Sequence, residues 1–315
     1  MDGTRKDEPR VAVLIPCYNE AAAIGGVVRA FREALPGAEI HVYDNNSTDA
    51  TAAEALAAGA IVGREACQGK GHVVRRMFAD VEADVYLMVD GDGTYHAPSA
   101  PALVRLLAEG GLDMVVGCRV ETAQEAYRPG HRFGNALLTG AVRSIFGQRF
   151  TDILSGYRAF SRRFVKSFPV LSAGFEIETE LTVHALELSM PVQELQTPYG
   201  ARAEGTESKL RTYRDGLRIL RLIANLYRTE RPLAFFSILS GLLAAASLVL
   251  AEPLLVTYAR TGLVPRFPTA ILCAGMMTIA ALGFACGLVL DTVTRGRKEM
   301  KKLAYLAVPG PGARR

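Results

Sequence analysis

Short apolar runs alternate with helical stretches over the first third of the chain. Val11-Ala12-Val13-Leu14-Ile15 predicts a buried strand, ended by Pro16. Ala21 to Leu35 has a helical pattern, and Pro36-Gly37 stops it. Glu39 to Tyr43 predicts a second strand, closed by Asp44-Asn45-Asn46-Ser47-Thr48-Asp49. Thr51 to Ala58 is helical with Gly59 as its C-cap, and Ala60-Ile61-Val62 is a short third strand. Gly71 to Val81 predicts a helix, Val85 to Val89 a strand, Pro101 to Glu109 a helix and Met114 to Gly117 a strand. This alternation predicts an α/β domain with a mainly parallel sheet. In such sheets ligands bind at the carboxyl ends of the strands. The polar clusters fall at those ends: Tyr18-Asn19-Glu20, Asp44 to Asp49, Asp90 to Tyr95, and Arg119.

The pattern changes near residue 210. From Leu210 to Arg231 apolar residues keep helical spacing, at Leu217, Leu220 and Ile223, with arginines between them. A basic amphipathic helix of this kind lies at a membrane interface or packs on the soluble domain. Leu233 to Ala251 then gives nineteen residues without a charge, and Phe267 to Leu290 gives twenty-four more. Each is long enough to cross about 30 Å of hydrocarbon as a helix; the alternative is two buried core helices. Arg260 to Arg266, with Gly262 and Pro265, fits a tight turn between them. Lys and Arg are denser outside this hairpin, at Arg228, Arg231, Arg295, Arg297, Lys298, Lys301 and Lys302. The positive-inside rule then puts both ends in the cytoplasm. The charged N-terminus has no apolar h-region, so no signal peptide is expected. The predicted organisation is residues 1–209 as a cytoplasmic α/β domain, 210–232 as an interfacial helix, 233–291 as two membrane helices and 292–315 as a basic cytoplasmic tail.

Composition narrows the chemistry. The five cysteines lack ligand spacing, which excludes a disulfide framework and a zinc site. A net charge of +4 without a basic tract interleaved with aromatics gives no nucleic-acid signal. Neither a Gly-x-Gly-x-x-Gly sequence after the first strand nor a Walker A sequence is present. Asp90-Gly91-Asp92-Gly93-Thr94-Tyr95 is the most specific chemical feature. Carboxylates are hard oxygen ligands for Mg²⁺ or Mn²⁺, which in turn bind phosphates. Glycine lets the backbone approach a ligand closely. The same residues also make an ordinary polar turn.

Several blocks carry a family resemblance. Val13-Leu14-Ile15-Pro16-Cys17-Tyr18-Asn19-Glu20, Asp44 to Asp49 and Asp90-Gly91-Asp92 resemble family 2 glycosyltransferases of the GT-A fold. Gly117-Cys118-Arg119, Arg132-Phe133-Gly134-Asn135, Asp152 to Arg158, Phe175 to Glu180 and Arg202 to Lys209 resemble the polyprenyl- or dolichyl-phosphate glycosyltransferases. The resemblance covers roughly residues 10–220. It implies a GT-A nucleotide-sugar domain, to which the two uncharged spans add a C-terminal two-helix transmembrane hairpin in a bacterial-type inner membrane. It further implies metal-dependent, inverting transfer of a hexose, mannose or glucose, from a nucleotide diphosphate sugar to polyprenyl phosphate. Transfer to another lipid or lipid-linked glycan, and a non-catalytic membrane scaffold, are the alternatives. A processive polysaccharide synthase would need a Gln-x-x-Arg-Trp motif, and this chain has no Trp. A homo-oligomer is compatible with the resemblance.

By resemblance, Pro16, Tyr18, Glu20, Asp44, Asn46, Lys70, Asp90 and Gly91 contact the nucleotide. Asp44 could equally cap its own turn, and Asn46 or Ser47 could cap the helix starting near Thr51. Asp90, Asp92 and Arg119 form the implied catalytic set, with Asp90 and Asp92 holding Mg²⁺ or Mn²⁺. Many relatives place Gln two residues after the second Asp; here Thr94 supplies only a hydroxyl. Arg119, Arg132 and Asn135 correspond to acceptor-phosphate residues, where guanidinium forks suit a phosphate monoester. Arg202, Ser208 and Lys209 correspond to a lid over the donor phosphates; a plain linker to the membrane part is the alternative. Glu176, Glu178 and Glu180 precede a helix and have no assigned role.

Overall fold

The computed structural model describes residues 9–121, 129–147, 150–172, 174, 176–200 and 212–310. The elements follow the predicted alternation: β1 (Val11–Cys17), α1 (Ala21–Ala34), β2 (Glu39–Asp44), α2 (Thr51–Ala57), β3 (Ile61–Arg64), α3 (Lys70–Asp80), β4 (Val85–Met88), α4 (Ala100–Glu109) and β5 (Met114–Glu121). After them come α5 (Pro129–Phe146), β6 (Arg158–Ser161), α6 (Arg162–Ser167), α7 (Ile177–Glu187), β7 (Val192–Tyr199), α8 (Thr212–Glu230), α9 (Pro232–Thr261) and α10 (Phe267–Leu306).

Among the described residues the sheet has seven strands in the order β3-β2-β1-β4-β6-β5-β7. β1 pairs in parallel with β2 and β4, and β5 with β7. β6 runs antiparallel between β4 and β5, so β5 points the same way as β4. Both faces of the central strands are buried, which explains their continuous apolar runs. Val13, Ile15 and Leu87 pack with Ile24 and Phe31 of α1 and Leu103 of α4. On the opposite face Phe160 meets Phe78 of α3 at 5.9 Å and Phe164 of α6 at 4.7 Å. Strands β1, β2, β4 and β5 therefore deliver Cys17, Asp44, Val89-Asp90 and Arg119 to one edge.

The chain divides into two compact units, residues 1–216 with 300–315, and residues 217–299. Within the second, α9 and α10 are long and apolar enough to cross a membrane, and little of their apolar windows is buried. Ile238, Leu242, Val249, Leu255 and Leu282 point outward. The helices touch through small residues: Gly283 lies against Ser240, and the Ser247 hydroxyl donates to the Cys273 carbonyl at 2.8 Å. Gly262 closes α9 with φ +67°.

Residues 292–306, expected as a basic tail, are helical. They continue α10 to Leu306, and the next proline is Pro309. Within the first unit, Lys301 pairs with Glu187 at 2.7 Å. The Tyr305 hydroxyl donates to the buried Asp113 at 2.8 Å, and the Arg163 guanidinium lies over the Tyr305 ring.

Candidate active site

The loops at the sheet edge are built from side chains that bind backbone. Asn19 turns the chain after β1 with φ +55°, and its N–H donates to Ser47 Oγ at 2.8 Å. The Thr48 N–H returns a bond to Asn19 Oδ1 at 2.8 Å. The Glu20 N–H donates to Thr51 Oγ1 at 2.9 Å. Asp44 is buried and accepts from the Ser47 N–H, so its turn-capping role is realised. Neither Asn46 nor Ser47 caps α2; Asp49 accepts from the Thr51 N–H instead. Asn46 turns its amide to the Ala66 carbonyl at 2.7 Å.

Asn45, with no role expected from sequence, ties this edge to the next loop. It donates to the carbonyls of Glu65 and Cys67 at 3.0 and 2.8 Å and accepts from the Gly69 N–H at 2.7 Å. That bond fixes the start of α3, and so places Lys70. The Lys70 ammonium sits 2.5 Å from Asp90 Oδ1 and 2.5 Å from Glu178 Oε1. Burial disfavours this ammonium, yet the two carboxylates outweigh it and hold its pKa above the ordinary lysine value.

The Asp90–Thr94 turn is tightly enclosed. Asp92 is buried, and its Oδ1 accepts from the Thr94 hydroxyl at 2.7 Å and the Thr94 N–H at 3.2 Å. The Thr94 hydroxyl therefore orients Asp92. A Cβ on Gly91 would come within 2.5 Å of Cys17 Sγ, and one on Gly156 within 2.5 Å of Asp90 Oδ2. Glycine at 156 preserves room for the Asp90 carboxylate, and glycine at 91 lets the turn pack against Cys17. No cluster of three metal-ligating side chains occurs among the described residues. Two carboxylates at a cramped turn still fit a divalent cation of the Mg²⁺ type, which takes one or two protein carboxylates and completes its shell with phosphate and water oxygens.

Arg119 reaches the same edge from β5. The sequence led to the expectation of a guanidinium fork presented to a phosphate. Instead Nε and Nη2 meet Asp152 Oδ2 and Oδ1 at 2.8 and 2.7 Å. Burial would raise the Asp152 pKa, but the Arg119 bonds hold the carboxyl below its ordinary value. Asp152 is aimed by Glu194, which accepts from the N–H groups of Thr151 and Asp152 at 2.7 and 3.2 Å. The Arg119 guanidinium also stands 5.5 Å from the Tyr199 ring centroid.

One loop joins the two pairs. Residues 152–157 carry Asp152 at one end, and the Gly156 N–H donates to Tyr95 Oη at 2.8 Å. Arg158, wholly buried, binds the carbonyls of Ile153 and Ser155 at 2.6 and 2.8 Å and Thr182 Oγ1 at 2.8 Å. A single buried guanidinium thus fixes the loop's backbone. The Gly200 N–H donates to the Thr94 carbonyl at 2.9 Å, tying the end of β7 to the Asp92 turn. Arg202, Ser208 and Lys209 lie outside the described residues. Arg132 and Asn135 fall on α5, and their side chains lie outside the description. Pro16 and Tyr18 stand at the end of β1, beside the Asp44 strand.

The sequence profile of glycosyl transferase family 2 matches residues 12–168. Glycosyltransferase AglJ of Haloferax volcanii is 38% identical over 232 residues, spanning 72% of this chain and 75% of that protein. The dolichyl-phosphate hexose transferase of the same organism is 27% identical over 221 residues, spanning 70% of this chain and 95% of that protein. A Mycobacterium tuberculosis glucosyl-3-phosphoglycerate synthase, solved with Mn²⁺, UDP and glucosyl-3-phosphoglycerate, matches with TM-score 0.56 at 27% identity, covering 70% of this chain and 80% of that one.

Proposed function

The chain belongs to glycosyl transferase family 2, and on that premise we propose that it moves a hexose from a nucleotide diphosphate sugar to a polyprenyl phosphate. The observation that carries this reading is the sheet edge: the Asp90–Asp92 turn and the cationic Arg119 end of β5 are braced by one loop, in a chain with two helices apolar enough to span a membrane. Similarity to a dolichyl-phosphate hexose transferase supports the lipid acceptor.

Asp90 and Asp92 would hold Mg²⁺ or Mn²⁺, which when bound offsets charge on the leaving diphosphate. Asp44, Tyr18 and Glu20 line the nucleoside end of the edge. An acceptor phosphate oxygen attacks the anomeric carbon, the bond from that carbon to the donor's β-phosphate oxygen breaks, and the nucleoside diphosphate leaves with the electron pair. The nucleophile is already an anion, so no strong base is needed. Arg119, fixed by Asp152, contributes positive charge on the acceptor side. In this reading α9 and α10 anchor the enzyme with its catalytic unit in the cytoplasm.

A donor screen tests it. Purified full-length protein is incubated with UDP- and GDP-hexoses and undecaprenyl phosphate, and released nucleotide is measured. Release from one donor that depends on the lipid phosphate is expected. No acceptor-dependent release with any donor would favour the scaffold alternative.

A further inference from the structure

Glu178 has no role in the chemistry above, yet it is one of the most enclosed carboxylates at the site. It comes from α7, 108 residues from Lys70, and its side chain is 6% exposed. Lys70, 11% exposed, lies 2.5 Å from it and 2.5 Å from Asp90. A buried charge stripped of its partner is strongly unfavourable. The three groups are therefore mutually dependent. Lysine is a compact charge with three donors on a flexible stem, so it can release one carboxylate while keeping another. Asn45 and Gly69 fix the backbone from which it reaches.

We propose that Lys70 and Glu178 form a resident counter-ion for the Asp90 carboxylate. Lys70 neutralises Asp90 in the absence of donor; Glu178 retains the ammonium when Asp90 turns to a divalent cation. This rests on the metal role proposed for Asp90 and Asp92. Glu178 is a positioning residue: it acts on Asp90 through Lys70. The consequence is synergy. A divalent cation alone must compete with Lys70, whereas a donor diphosphate supplies further anionic oxygens for both cations. Metal and donor then bind together.

The test is Mn²⁺ binding to the purified full chain, read from the electron paramagnetic resonance of free Mn²⁺, with and without UDP or GDP. In the wild type, nucleotide should tighten Mn²⁺ binding about tenfold or more. Lys70→Met should tighten binding of Mn²⁺ alone about tenfold and shrink the effect of nucleotide. Glu178→Gln should leave the ammonium wholly on Asp90 and weaken Mn²⁺ binding by a similar factor. Misfolding would weaken both variants, so shifts of opposite sign support the device. Shifts of the same sign, or none, overturn it. Wild-type protein that binds no Mn²⁺ with either nucleotide overturns the metal reading and this inference together.

Discussion

Two charged pairs stand at the same sheet edge and are built on different logic. Around Asp90, one lysine divides its donors between two carboxylates from distant elements. Around Arg119, a planar fork fits a single carboxylate through two of its N–H groups, and a third residue, Glu194, holds that carboxylate's backbone. The lysine arrangement is degenerate and can change partners. The arginine arrangement has one geometry and holds it. In the proposed reading the Asp90 side must admit and release a charged diphosphate, whereas the Arg119 side gains from a charge that stays in place. Choice of cation, with carboxylate chemistry constant, separates the two.

The largest expected effect removes the lysine side's purpose. Asp92→Ala deletes a carboxylate already oriented by Thr94, and sugar transfer should fall about a thousandfold or more, with several kcal/mol of charge stabilisation lost. EDTA should reproduce the loss. Full activity in EDTA would leave the comparison without its exchangeable partner.

The next effect tests the fixed side. Asp152→Asn keeps shape and removes charge, so Arg119 loses its fork. A charge-assisted contact is worth about 1.5–3 kcal/mol, or about ten- to more than hundredfold. The loss should appear as a raised KM for polyprenyl phosphate with KM for the nucleotide sugar little changed. Arg119→Lys should behave similarly, since it keeps charge and loses the fork. A raised donor KM instead would place Arg119 with the wrong substrate.

Much of this edge was legible because it is local. Asp44, Asp90 and Arg119 each follow a run of apolar residues, and strand ends show in sequence as a change from apolar to polar. The partners were not legible. Glu178 and Asp152 acquire their roles from contacts across 108 and 33 residues, and neither carries a sequence mark for it. Asn45 sat among turn residues and gave no sign of bracing Lys70. Strand β6 was hidden by its first residue, since Arg158 is an unlikely core side chain until its carbonyl partners are known. Strand β7 contains Pro198, which argues against a central strand but is tolerated at the sheet edge where β7 lies. The helix of residues 292–306 read as a charged tail because its docking groups, Lys301 and Tyr305, find carboxylates that are remote in sequence.

A smaller effect probes the loop between the pairs. Gly156→Ala puts a methyl group where Asp90 Oδ2 stands, so one of them must move. If Asp90 holds the metal as proposed, a shift of a few tenths of an ångström in its carboxylate should cost about tenfold in kcat. Stability should change by less than about 1 kcal/mol, because the loop's carbonyls stay on Arg158. An unchanged kcat would mean that Asp90 has more freedom than its surroundings indicate.

The smallest effect asks whether either pair governs stability near neutral pH. Lys70 is held above the ordinary lysine value and the Asp152 carboxyl below its ordinary value, so neither of these two groups changes charge between pH 5 and 8. His184 does. It is buried on α7 beside Phe164 and Phe168 and hydrogen-bonded to Ser167. Burial, with a smaller contribution from Lys301, lowers its pKa to about 3. The folded chain therefore binds fewer protons than the unfolded one between about pH 3 and the unperturbed value near 6.5. Its contribution is complete above about 6.5 and is lost as pH falls, at about 1.4 kcal/mol per pH unit. Denaturant midpoints in detergent should thus decline from pH 7 to pH 5. His184→Gln should flatten that decline, whatever it does to stability at pH 7, while leaving the acceptor and donor KM values where they were. A slope that persists undiminished in His184→Gln would show that His184 is not the source of the acid sensitivity.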